Sequence, residues 1–158
     1  MEDIRETVRV QWDFDIVVYA SIGGAPGSFK ECVGRLRDTV NAGGYLVIDD
    51  GFLKTGQKKP SRKGYEHYAS HQSTISQLES HGDRVISEVG ADDETNRFNA
   101  ESMRAITARA QGLSDRYPEL KDMIENYLKD ERLECELLNN SISSAIWLIE
   151  KRDKASAA

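Results

Sequence analysis

Phe14-Asp15-Ile16-Val17-Val18-Tyr19-Ala20, followed downstream by Ala42-Gly43-Gly44-Tyr45-Leu46-Val47-Ile48-Asp49-Asp50, is the pair of segments on which the fold turns. The first is an almost unbroken β-branched and aromatic run, the pattern of a parallel, interior strand buried on both faces. Tyr45-Leu46-Val47-Ile48 reads as a second buried strand, ending at Asp49-Asp50-Gly51. Between them, Ser21 to Gly27 is turn chemistry and Ser28-Phe29-Lys30-Glu31 is a capping box that opens a helix. Phe29, Cys32, Val33, Leu36 and Val40 recur at helical spacing, and Asn41-Ala42-Gly43-Gly44 is expected to stop that helix. Strand, helix, strand of this length is a βαβ crossover.

Working outward, residues 54–64 carry five positive charges and no apolar periodicity, which predicts a mobile surface loop. A short helix from His71 to His81 turns Ile75 and Leu78 inward, and Arg84 to Val89 alternates as a strand does. Two helices follow, one over 100–113 and one opened by Pro118, before a last strand over 144–150. Upstream, Val8-Arg9-Val10-Gln11-Trp12 alternates and could fold over the first strand as a protective neighbour.

The Phe-Asp opening of the first strand, the amphipathic helix and the Gly-Gly before Tyr45-Leu46-Val47-Ile48-Asp49 resemble the fourth strand, following helix and fifth strand of class I S-adenosylmethionine (SAM) dependent methyltransferases. The later elements resemble that family's last helix and closing strand pair. The resemblance implies an α/β chain: a partial Rossmann-like methyltransferase sheet, with a parallel βαβ unit plus a C-terminal antiparallel strand pair and a helical insertion. It implies one partial domain over 1–158, with the insertion or lid at 95–140. The family's first strand, glycine-rich turn and ribose-gripping carboxylate have no counterpart in the sequence. The resemblance therefore implies a substrate-side half that binds SAM weakly or not at all alone, with the 14–20 strand at a severed edge open to a second copy or a complementing chain.

Ligands of open α/β sheets bind beyond the carboxyl ends of the strands. That rule places Tyr19, Ser21, Ile22, Gly23 and Gly24 after the first strand and Asp49, Asp50 and Phe52 after the second around any pocket. Asp3 and Ile4 join the cofactor side by resemblance, since the family's acidic residue there lies near the adenine ring. Gly23-Gly24 could equally just turn the chain, and Asp49-Asp50 could cap the next loop. His67 and His71 stand four apart; they are read as solvent-exposed histidines beside the loop, or as a general base for an acceptor, and a metal pair lacks a third ligand. Glu131 interrupts the apolar stripe Leu120, Met123, Tyr127, Cys135, Leu138, and would contact the acceptor if its helix caps the pocket, or pair with Arg104 or Arg109 if it does not.

The charge balance narrows the partners. A net charge of −6 with both signs interspersed offers no basic stripe for nucleic acid. No apolar run approaches a bilayer's thickness, which makes the cytoplasm the default address, with no membrane partner. Cys32 and Cys135 lie far apart in apolar patterns and are expected to be small core hydrophobes. The spacing from Gly24 to Lys30 does not satisfy a phosphate loop. Two functions remain: methylation of a small-molecule acceptor, and a non-catalytic interaction module or remnant that pairs through its strand edge.

Overall fold

The computed structural model describes residues 6, 9–20, 24–25 and 27–152. Four strands form one sheet in the order β1-β2-β4-β3, with β1 at Phe14–Ala20, β2 at Val40–Leu53, β3 at Arg84–Gly90 and β4 at Ile142–Glu150. β1 runs parallel to β2, and β4 lies antiparallel between β2 and β3. This is the mixed α/β sheet that the two opening segments imply.

Helix α1 (Phe29–Leu36) starts where the capping box places it. The Ser28 hydroxyl accepts from the Glu31 backbone N–H, and the Glu31 carboxylate accepts from the Ser28 backbone N–H at 2.7 Å. Two orphan backbone donors are thereby satisfied at the end of a helix only eight residues long. The helix ends earlier than expected: a 3-10 turn over Arg37–Thr39 follows Leu36, and β2 already begins at Val40. Asn41 to Gly44 therefore belong to the strand, not to a helix stop. Gly43 there has a positive φ of 71°, and a Cβ on Gly44 would lie 2.7 Å from the Asp15 carbonyl oxygen. Only glycine lets β2 close on β1 at this irregular pairing between Phe14 and Ile16.

Helix α2 (His71–Leu78) joins α1 on one face of the sheet. Between them and the sheet lies the core of Tyr19, Phe29, Cys32, Val33, Leu36, Leu46, Ile48, Leu78, Trp147 and Ile149. Trp147 is fully buried there, its indole N–H donating to Glu88 at 2.8 Å. Arg37, at the end of α1, forms a two-pronged ion pair at 2.8 and 3.0 Å with Asp83, which also accepts from the Arg152 backbone. The remaining helices, α3 (Asp92–Arg116) and α4 (Lys121–Ser141), form an antiparallel hairpin between β3 and β4, longer than the 100–113 and Pro118 segments suggested.

The opposite face of the sheet has no helix over it among the described residues. Ile16 is 59% and Val18 64% exposed, although the β1 sequence predicts burial on both sides. In register, Val18 lies beside Val47 and Val47 beside Leu148; Asp49 lies beside Ile146 and Ile146 beside Val89. Val47 is correspondingly half-buried, so β2 is not buried on both faces either. Among the described residues β1 is an edge strand, as the resemblance implies and the apolar run alone does not, and residues 9–13 form no strand beside it. Trp12 stands 64% exposed near that edge. A continuous apolar run records two buried faces, and the second cover is not among the described residues.

Candidate functional site

A cavity of about 630 Å³ opens where β1 and β2 reach their carboxyl ends. Gly24, Ala25, Asp49 and Asp50 form its strand side, Lys63, Tyr65 and Tyr68 its loop side, and Asn96, Asn99 and Asn139 of α3 and α4 close it. This is the position that the carboxyl-end rule assigns to ligands.

Asp50 is the most constrained residue of the wall. Its Oδ1 accepts from the Gly51 backbone N–H at 2.8 Å and lies 3.4 Å from His67 Nε2. The side chains of His67 and Asp50 are 3% and 4% exposed, which corrects the reading of His67 as a solvent-exposed histidine. Its ring is held edge-on by Phe29, with centroids 5.5 Å apart, and lies against Tyr68 at 4.1 Å. A Cβ at Gly24 would come 2.8 Å from His67 Nδ1, so the glycine is what admits the ring beneath the cavity. Asp50 Oδ2 and His67 Nδ1 are buried with no hydrogen-bond partner. The Tyr68 phenol faces the same carboxylate; burial first, then the Asp50 charge, holds it well above its ordinary range. Burial, then the Asp50 charge, also raises the carboxyl of Asp49.

The loop that the sequence marks as mobile has no regular structure but is tied to α4. Arg62 pairs with Glu134 at 2.6 Å, the Tyr65 hydroxyl donates to the same carboxylate, and Lys54 Nζ donates to the Asn139 carbonyl at 2.6 Å. Burial, followed by the bond to Glu134, pushes the Tyr65 phenol upward.

The other expected site residues disperse. Tyr19 is 2% exposed and belongs to the core, where burial, then Cys32 and Asp50, raise its phenol, and its side chain does not line the cavity. Phe52 packs edge-on to His71 at 4.6 Å outside the cavity wall. His71 lies 2.8 Å from Glu88 on the sheet side of α2, and His67 precedes that helix, so the two histidines share no helix face. Among the described residues no three His, Cys, Asp or Glu side chains are placed to hold a metal. Glu131 is half-buried beside Cys135, near enough to Tyr65 to raise its phenol but not lining the cavity, and the polar contact on this helix is made one turn on by Glu134. Cys32 is a core residue, its thiol pushed up to about 12 by burial, whereas Cys135 is half-buried. Asp3, Ile4, Ser21, Ile22 and Gly23 lie outside the described residues. No helix among the described residues is long and apolar enough to cross a membrane.

Sequence reasoning missed Tyr65, Tyr68, Asp92, Asn96, Asn99 and Glu134. The available signal was Tyr65-Glu66-His67-Tyr68, aromatics clustered in a stretch without periodicity, where no core helix or strand explains them.

No protein-family model and no curated protein sequence matches the chain. Solved structures do. A SAM-dependent methyltransferase from Thiobacillus denitrificans, in complex with S-adenosylhomocysteine, superposes with a TM-score of 0.67 at 13% identity, over 89% of this chain and 59% of that one. A cyclopropane synthase from Mycobacterium tuberculosis gives 0.68 at 10% identity, over 89% and 56%. The cyclase SpnF gives 0.66 at 14% identity, over 91% and 52%. The chain thus spans between about half and three-fifths of the length of these structures. Over that span, this chain has the fold of the SAM-dependent methyltransferases.

Proposed function

We propose that this chain is the acceptor-side part of a SAM-dependent methyltransferase acting on a small molecule. The observation that supports the reading is the cavity at the carboxyl ends of β1 and β2, whose wall carries three aspartates and three asparagines, in a fold whose solved examples include methyltransferases bound to S-adenosylhomocysteine. Methyl transfer from a sulfonium requires in-line positioning and exclusion of water, and a cavity roofed by α3 and α4 suits both. Asp50, Asp49, Tyr65 and Tyr68 would orient the acceptor.

Asp3, Ile4, Ser21 and Gly23, expected on the donor side, lie outside the described residues, and those described supply only part of a donor site. Gly24 and Ala25 alone follow β1 at the cavity, and Tyr19 faces the core. The donor's main contacts would come from a complementing strand-and-helix segment on the free β1 edge and the uncovered sheet face. An edge unpaired among the described residues, beside exposed Ile16 and Val18, favours such pairing, and a second copy of the chain would take that place where no other strand is present.

Calorimetry tests the reading. SAM should bind this chain more weakly than about 1 μM, roughly −8 kcal/mol. A polypeptide that adds a strand against β1 should bind it tightly and transfer its methyl group. A longer form that binds no SAM sinks the proposal, and tight binding by this chain alone sinks the division of labour. The second reading is a non-catalytic interaction module or remnant that pairs through the β1 edge, which the exposed Ile16 and Val18 favour.

A further inference from the structure

The charge on the cavity wall is lopsided, and one of its groups is left without a partner. Three carboxylates, Asp49, Asp50 and Asp92, line the cavity against one cation, Lys63. Asp92 is already engaged, accepting from the Ser144 backbone N–H at 2.6 Å. Asp50 is different: its side chain is 96% buried, given its 4% exposure; Oδ1 has two neighbours, whereas Oδ2 meets no donor at full hydrogen-bonding geometry, although the Tyr68 phenol interacts with the carboxylate. A buried carboxylate oxygen without a donor is costly, and a donor brought by a ligand removes that cost. Tyr65 and Tyr68 stack beside it, their rings 10° from parallel with centroids 5.9 Å apart, and offer π surface to a cation.

We propose that Asp50, backed by His67 and flanked by Asp49, is the anchor for a protonated alkylamine group of the acceptor, with the alkyl portion lying toward Leu138 and Ile142. This rests on the reading of the cavity as an acceptor site and gives that acceptor its class: a small organic cation bearing N–H donors. An ammonium supplies both what Oδ2 lacks, a donor, and what the wall lacks, positive charge. A neutral alcohol supplies the first alone, and a carboxylate neither.

The test uses three probes of one shape, n-hexylammonium, n-hexanol and n-hexanoate, titrated into this chain near neutral pH and followed by NMR. Hexylammonium should bind at least about tenfold more tightly than hexanol, with hexanoate weakest. Asp50→Asn should bring the ammonium and the alcohol to within about twofold of each other. If circular dichroism shows that Asp50→Asn does not fold, Asp49→Asn serves instead and should reduce the preference severalfold. Equal binding of ammonium and alcohol, preference for hexanoate, or no binding of hexylammonium overturns the proposal. No methyl donor enters the assay: a charge preference without methyl transfer in the longer form sinks the methyltransferase reading alone, and methyl transfer without a charge preference sinks this one alone.

Discussion

His67 and Asp50 are buried together, Nε2 3.4 Å from Oδ1, at the junction of the core with the cavity floor. The pair connects folding to the site, since the ring that Phe29 holds in the core is the one that backs the carboxylate.

His67→Ala is expected to cost about 3 kcal/mol or more, because it opens a hole beside Phe29 and leaves the buried carboxylate with the Gly51 N–H and the Tyr68 phenol alone. His67→Gln, which restores a donor, should cost less. Urea denaturation checks both, and an Ala variant as stable as the parent would show that the pair contributes nothing.

Val17 and Val18 are neighbours in sequence that face opposite environments. Val17 packs against the core, so Val17→Asp should abolish cooperative melting by circular dichroism. Val18 is on the open face, so Val18→Lys should change stability by no more than about 0.5 kcal/mol. It should instead suppress self-association: sedimentation at about 100 μM should show the parent associating through β1 and the lysine variant monomeric. A parent that is itself monomeric refutes the edge-pairing expectation.

Asp49 gives a pH dependence of definite sign. Burial, then the Asp50 charge, raises its carboxyl in the folded state, so the folded chain binds that proton more tightly than the unfolded chain. Stability from this group therefore falls as pH rises from the unfolded to the folded value, and remains lower at neutral pH. Asp49→Asn should raise the melting temperature near about pH 7 and give no gain near about pH 3, where both states hold the proton. A gain that is the same at both pH values would contradict the assignment.

Asp83 is fully buried at its side chain and paired to Arg37 at 2.8 Å. Removing Asp83 leaves the largely buried Arg37 charge without its carboxylate, and Asp83→Ala should cost about 3–5 kcal/mol. Replacing both by apolar residues should recover a large part of that loss, as read from denaturation midpoints.

Legibility in the sequence followed how local the cause was. The capping box at Ser28 and Glu31 depends on residues three apart, and it forms as read. The parallel βαβ pairing was legible because Ile16–Tyr19 and Tyr45–Ile48 carry matched apolar runs. The depth of His67 was not: its burial depends on the absent side chain of Gly24 and on Phe29, both distant in sequence. The close approach of β2 to Asp15 depends on Gly44 lacking a side chain, again a non-local cause. Apolar periodicity likewise reports that a face of β1 is to be covered without saying by what.

The chain has two tryptophans, and the fold places them at opposite extremes. Trp147 is sealed in the core with its N–H on Glu88, whereas Trp12 stands exposed near the free edge of β1. Their fluorescence therefore separates two events. Trp147 reports whether the sheet is folded, and Trp12 reports whether something has docked on its edge. With Trp12→Phe and Trp147→Phe, emission alone distinguishes a partner that completes the sheet from one that unravels it.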